Sequence, residues 1–160
     1  MMTETEQEKF SEYFQLNHVI QVNVKPGGPL NTLPSYQEFE KAIPVPFKIA
    51  SEMKGLEQTM LRPLRQLGDV IEPLADYLKA QSRKIDLMMS YILQAEDEKE
   101  RQYTTQSYGG GGFTFESPQP FDTDDYLICK LFFDDEAAAV FCYGKLLDCQ
   151  PLEADAGYLN

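Results

Sequence analysis

The most regular pattern of apolar positions runs from Met60 to Ala95, where apolar side chains recur at alternating intervals of four and three residues. Such an alternation is a heptad repeat, which places the side chains on one stripe of a long helix. Only Gln81 interrupts the apolar series. The stripe consists of Met60, Leu64, Leu67, Ile71, Leu74, Leu78, Gln81, Ile85, Met88, Ile92 and Ala95.

A helix over this stretch would be about 50 Å long at roughly 1.5 Å per residue, longer than a small domain could cover. We therefore predict an oligomerisation helix whose seam packs against other copies as a coiled coil. Val70, Tyr77 and Tyr91 lie beside the seam and widen the apolar face. A wider face favours three or four helices over two. A helix packed inside its own fold is the alternative.

Two prolines divide this stretch, since each removes a helical hydrogen bond and starts, kinks or ends a helix. Pro63 and Pro73 predict a shorter helix near Ser51–Ile71 and a long one from about Pro73 to Arg101. At the polar seam position, Gln81 either hydrogen-bonds to symmetry-related copies and fixes their register, or is a tolerated polar residue.

Before the helical block, His18–Lys25 alternates between two faces and is rich in β-branched residues. This pattern predicts a strand. The run Pro26–Pro29 (PGGP) is expected to end it. Ser35–Ala42 predicts a short helix capped by Ser35. Pro44 and Pro46 predict a rigid extended spacer.

After the helical block, alternating residues predict strands at Tyr103–Tyr108 and Phe113–Phe115, separated by four consecutive glycines. Asp125–Phe133 and Ala137–Leu147 predict a hairpin, and no clear strand follows. The predicted fold is therefore α+β, a small antiparallel sheet or barrel in one domain over residues 1–160. Its helical insertion, about 51–102, lies between the first strand (18–25) and the later strands (103–147).

Composition narrows the classes of function. Apolar residues make up 42% of the 160 residues, which is enough for a core. The net charge of −12 repels phosphate backbones, so no nucleic-acid partner is expected. There is no apolar run long enough to span a membrane, and Met1–Glu8 is too acidic for a signal peptide. Three cysteines without CxxC spacing suggest free thiols, and together these features predict a cytoplasmic protein.

Candidate chemistry is sparse. His18 is the only histidine, and no cysteine has a histidine partner placed by the sequence, so no catalytic residue is assigned. Asp124–Asp125 and Asp134–Glu136 could attract a divalent cation, but acidic turns are usually solvated, and no metal is expected. We predict a protein that is not an enzyme.

The order of these elements, with SYGGGGFTF followed by DYLICKLFF, resembles a PilZ domain over roughly Phe14 to Leu147. This resemblance implies a small β-barrel of a family that commonly binds the bacterial second messenger cyclic di-GMP. The heptad-bearing helices before the glycine strand resemble the atypical PilZ group, in which the long helix builds a tetramer. The resemblance thus implies a homotetramer with a scaffolding or regulatory role in cyclic di-GMP signalling, with a possible further protein partner.

The ligand motifs of PilZ receptors are degenerate here. The family's RxxxR pair has no counterpart, because Glu12–Asn17 contains no arginine. In the D/N-x-S-x-x-G segment, Ser107 replaces Asp or Asn, Gly109 replaces Ser, and only Gly112 is retained. Arg101 could supply a remnant anion contact. We therefore predict that cyclic di-GMP does not bind and that there is no cofactor; a receptor for cyclic di-GMP or another small ligand that uses other residues is the alternative.

Overall fold

The computed structural model describes residues 6, 8, 10, 15–64, 66 and 68–160. It confirms an α+β fold with an antiparallel sheet, and its three helices of defined extent lie between the second and third strands. These helices are α1 (Tyr36–Ala42), α2 (Val45–Leu64) and α3 (Glu72–Gln94). Short 3-10 turns precede α3 at Asp69–Ile71 and follow it at Lys99–Arg101.

The described residues form one sheet of eight strands. In spatial order seven of them run β6-β5-β2-β3-β4-β8-β7, and β1 pairs with β3. The strands are β1 (Gln15–Leu16), β2 (Gln21–Pro29), β3 (Gln102–Gly109), β4 (Gly112–Ser117), β5 (Asp125–Phe133), β6 (Ala138–Lys145), β7 (Gln150–Pro151) and β8 (Tyr158–Leu159). Strand β2 therefore joins the β5–β6 hairpin to the β3–β4 hairpin.

Strand β2 corrects one sequence prediction, because it continues through Pro26–Pro29 instead of ending there. Its pairing with β3 covers only Gln21–Asn23, so the later residues leave one side of the strand without a ladder. A proline is tolerated at such an edge because its missing N–H is not needed. Gly27 is required by close approach, since a Cβ there would overlap the Tyr126 ring.

The chain divides into two compact units, one of residues 1–42, 97–131 and 140–160, and the other of residues 43–96 and 132–139. In the first, the core includes Val22, Val24 and Phe115. Most of β5 is buried on both faces, which explains why its apolar run is nearly continuous rather than alternating. The short strands β7 and β8 complete this unit; they were not predicted.

In the second unit, α2 packs against α3. Its buried side chains include Phe47, Met89 and Leu93, and the Phe47 ring meets the Phe132 ring edge-on at 5.7 Å. Proline positions explain the helix starts: Pro73 lies in the first turn of α3, as predicted. The predicted spacer is wrong, because α2 begins at Val45 with Pro46 in its first turn.

The end of α3 also differs from the prediction, since the helix stops at Gln94 and not at Arg101. The last turn tightens, with the Ala95 N–H donating to the Ile92 carbonyl at 3.2 Å. Beyond it, the Asp97 side chain and the Glu98 N–H are engaged by Asn23 of β2. These tertiary contacts hold residues 97–98 outside a helix, although their charge pattern suits one.

Candidate functional site

Helix α3 exposes an apolar stripe along its length. The side chains of Leu74, Tyr77, Ile85, Met88 and Ile92 are 41 to 61% exposed. Their spacing of three, eight, three and four residues keeps them on one face of a helix. A large apolar face left open to solvent is typical of a surface that binds a protein partner.

A second apolar stripe of α3 is covered within the helical unit. Met89 and Leu93 are buried, and Ala75 and Leu78 are half-buried. This second stripe therefore fits the alternative prediction, a helix packed inside its own fold. The neighbouring stripe is uncovered in the single chain. The two stripes together form the wide apolar face expected from the sequence.

Helix α2 adds to the exposed apolar surface. Ile49, Leu56 and Met60 are 44%, 60% and 67% exposed, and intervals of seven and four residues place them on one face. Met60 belongs to the heptad stripe predicted from the sequence, whereas Ile49 and Leu56 were not predicted. Their helical spacing was the signal that could have identified them. For Ile49, the expected spacer at Pro44 and Pro46 and the expected helix start near Ser51 obscured it. We call the exposed residues of α2 and α3 together the open helical face: Ile49, Leu56, Met60, Leu74, Tyr77, Ile85, Met88 and Ile92.

Net charge distinguishes the segment that contains α2 and α3 from the rest of the chain. Residues 43–96 contain seven basic and seven acidic side chains, so this segment has no net charge. The whole net charge of −12 lies on the other residues. Two copies that meet through their helices therefore bring together neutral segments, which limits the repulsion between acidic chains.

The predicted oligomerisation residues fall into three groups. Leu74, Ile85, Met88 and Ile92 lie on the open helical face. Half-buried residues are Ile71, Leu78 and Gln81. Leu67 and the side chain of Leu64 lie outside the described part of the chain, as does the side chain of Val70 beside the seam.

Three of the four predicted ligand residues share one β-hairpin. Gly109 of β3 pairs with Gly112 of β4, so Gly110 and Gly111 form the turn. The Ser107 hydroxyl lies 2.8 Å from the Thr114 hydroxyl on the neighbouring strand. A Cβ on Gly112 would come within 2.8 Å of the Phe10 ring, so a larger residue there would force that ring to move. The bulge in this hairpin lies between Thr105 and Ser107 and not at the glycines.

Arg101 is not brought to this hairpin turn. It is exposed in the 3-10 turn before β3, and its backbone N–H donates to the Glu98 carbonyl at 2.9 Å. Ser107 and the glycines lie toward the opposite end of β3, about 20 Å away at roughly 3.3 Å per residue. The four residues therefore do not converge on one anion.

A polar network that the sequence did not suggest joins β2 to the segment after α3. Asn23, 2% exposed, donates from Nδ2 to Asp97 Oδ1 and accepts the Glu98 N–H at 2.6 Å. Gln21 and Gln102 donate to the second Asp97 oxygen, Gln102 at 2.9 Å. Because buried polar groups need such partners, this network stabilises the segment that leads into β3. We call it the Asp97 network.

Glu98 extends this network by an ion-paired group. Lys25 Nζ donates to its two carboxylate oxygens at 3.1 and 3.2 Å, and Lys130 Nζ lies 3.5 Å from Oε2. Partial burial acts to raise the pKa of the Glu98 carboxyl, but the hydrogen bonds and charges of the two lysines outweigh it. The pKa is therefore lowered from its usual 4.5.

The lowered pKa of Glu98 predicts a pH-dependent stability. Its contribution is fully present above the ordinary pKa of 4.5 and is lost as the pH falls through the lower folded value. The urea midpoint of the wild type should exceed that of Glu98→Gln above pH 4.5, and the difference should shrink in acid. Glu100→Gln, at an exposed site two residues away, is the matched control. A Glu98→Gln difference that is independent of pH would contradict the prediction.

The residues that the structure describes contain no grouping suited to a metal ion. Among them, no cluster of three or more His, Cys, Asp or Glu side chains could hold a metal ion. His18 packs edge-on against Tyr108 at 5.8 Å. In the Asp122–Asp125 turn, the Asp122 carboxylate accepts the Asp124 N–H at 2.9 Å. No helix in the described part of the chain has the length and apolarity to cross a membrane.

Comparisons with known proteins add no relative: no family model matches the chain, and neither a curated protein nor a solved structure matches it. Functional inference therefore rests on the chain's own residues.

Proposed function

We propose that this chain is a non-enzymatic protein that self-associates into a homotetramer through the open helical face. The observation that carries the proposal is the exposed apolar stripe of α3, Leu74 to Ile92, in which four of the five residues are heptad positions of the sequence. A heptad stripe that its own chain leaves uncovered is matched best by the same stripe on another helix.

A second copy is favoured over other occupants by charge. The helical segment 43–96 is neutral, whereas a basic or acidic partner would select a face of the opposite sign. Exposed apolar residues on both α2 and α3 let each helical pair touch two neighbours, which supports four copies over two.

For the cellular role, we propose a PilZ-like scaffold or regulator in bacterial cyclic di-GMP-related signalling, acting in the cytoplasm and through a possible protein partner. The support is the resemblance in element order: a strand, inserted helices, a glycine hairpin and two long strands. The separation of Arg101 from Ser107 and the glycines supports a protein that does not itself bind the nucleotide.

Light scattering coupled to size-exclusion chromatography tests the assembly. One chain has a mass of 18.3 kDa. We expect a particle of about four such chains. A particle with the mass of one chain across the accessible concentration range would contradict self-association. A dimer would retain self-association and refute the tetramer.

Isothermal titration with cyclic di-GMP tests the ligand prediction. We expect no saturable heat, because Glu12–Asn17 contains no arginine and Arg101 lies about 20 Å from Ser107 at roughly 3.3 Å per residue, so the motif positions supply no arginine clamp for the two phosphates. Micromolar affinity would contradict this and favour the alternative, a receptor that uses other residues. Arg101→Ala and Ser107→Ala would then show whether either predicted ligand residue takes part.

A further inference from the structure

Cys129 and Cys142 occupy equivalent positions in the β5–β6 hairpin. Phe133 is the last residue of β5 and Ala138 is the first of β6. Cys129 lies four residues before Phe133, and Cys142 lies four residues after Ala138. In a hairpin that pairs those two end residues, the cysteines stand opposite each other.

Side-chain contacts agree with this placement. The thiols of Cys129 and Cys142 are close enough for each to shift the pKa of the other. Cys129 Sγ also lies 3.4 Å from where Gly144 would carry a Cβ, so it reaches toward β6 on the face that Cys142 and Gly144 share. Opposed residues on antiparallel strands have Cα atoms about 4.5–5.5 Å apart, within the range that a disulfide bridges.

We propose that Cys129 and Cys142 are a redox-active dithiol that low-molecular-weight disulfides convert into a cross-strand disulfide. This is a modification site independent of the open helical face. Cys149 lies outside β6 and is the third free thiol.

The surroundings assign different roles to the two thiols. Cys142 is half-buried, so a small disulfide can reach it, whereas Cys129 is 1% exposed. The neighbouring thiol of Cys129 lowers the pKa of Cys142, while the Cys142 thiol and burial raise the pKa of Cys129. Cys142 is therefore the attacking thiolate and Cys129 the resolving thiol.

The exchange balances in two steps. The Cys142 thiolate attacks the disulfide RSSR, forming a mixed disulfide and releasing RS⁻, which takes up a proton as RSH. Cys129 then loses its proton and attacks the Cys142 sulfur, forming the Cys129–Cys142 bond and releasing a second RS⁻, which is protonated in turn. The protein dithiol is oxidised by two electrons, and RSSR is reduced to two RSH.

Incubation of the native 160-residue chain with glutathione disulfide tests the proposal. Residual thiols are alkylated and the chain is then digested with trypsin. Lys130 and Lys145 place the three cysteines on separate peptides, 102–130, 131–145 and 146–160. We expect 102–130 linked to 131–145, one alkylated thiol at Cys149, and an unchanged circular dichroism spectrum.

Single variants separate the roles. Cys149→Ser should form the same disulfide at the same rate, and Cys129→Ser should accumulate glutathione on Cys142. Cys142→Ser should lose most of the reaction under native conditions. Three alkylatable thiols after oxidation, a bond that includes Cys149, or a bond between two chains would overturn the proposal.

Discussion

Replacement of Ile85 and Met88 by glutamate should convert the proposed tetramer into single chains of 18.3 kDa. Both residues lie on the open helical face, 41% and 60% exposed in the chain by itself. Full burial of such a side chain contributes about 2 kcal/mol, and only about half of each one is still exposed, so the pair accounts for about 2 kcal/mol per chain. That loss weakens the association about thirtyfold, before the cost of burying two carboxylates is added. Light scattering across a dilution series measures the change.

Leu87→Glu provides the matched control for this prediction. Leu87 is 63% exposed in the same turn of α3. It points away from the stripe of Ile85, so its replacement should leave the mass unchanged. Circular dichroism should show native helix content in both variants, because neither changes a buried side chain. If the Ile85 and Met88 variant keeps the mass of the unmodified protein, the open helical face is not the interface.

The sequence predicted the kind of each long element well, because periodicity reports directly on exposure. Alternation at residues 21–24 and the run 125–133 identified β2 and β5, and Pro73 identified the start of α3. The heptad positions Leu74, Ile85, Met88 and Ile92 identified a face that the chain leaves open. Periodicity alone does not identify what would cover that face, since one apolar pattern suits both a neighbouring copy and an internal partner.

Element boundaries were harder to predict because they depend on contacts between residues distant in sequence. Pro26–Pro29 suggests a break, yet the chain continues as a strand where its β3 side needs no N–H donor. Asp97 and Glu98 suggest a solvated helix end, yet Asn23, more than seventy residues earlier, binds both. Local propensity contains no information about such a partner.

The predicted ligand residues also show that local structure was predicted better than distances between residues. The glycine run correctly indicated a tight connection between two strands, and Gly109 and Gly112 do pair across the hairpin. The position of Arg101 relative to them follows from the length of β3, because an extended strand rises roughly 3.3 Å per residue. The glycine motif therefore correctly grouped Ser107, Gly109 and Gly112. Arg101 is separate from them because β3 is extended.

Asn23→Ala should cause the largest loss of stability among single substitutions in the Asp97 network. It removes the donor to Asp97 Oδ1 and the acceptor of the Glu98 N–H, and it leaves both groups without that partner. Hydrogen bonds to a charged group contribute about 1.5–3 kcal/mol and neutral ones about 1 kcal/mol, so we expect a loss of about 3 kcal/mol. For a chain of this size the melting temperature should fall by about 6–12 °C.

Gln102→Ala is the matched control, since it removes one exposed hydrogen bond to the same Asp97 carboxylate. Its cost should stay below about 1 kcal/mol because water can replace an exposed donor. Urea unfolding of both variants, followed by circular dichroism, gives the two free energies. Equal losses for Asn23→Ala and Gln102→Ala would mean that burial of Asn23 adds nothing. The segment that leads into β3 would then be held by packing and by the lysines around Glu98, not by the buried amide.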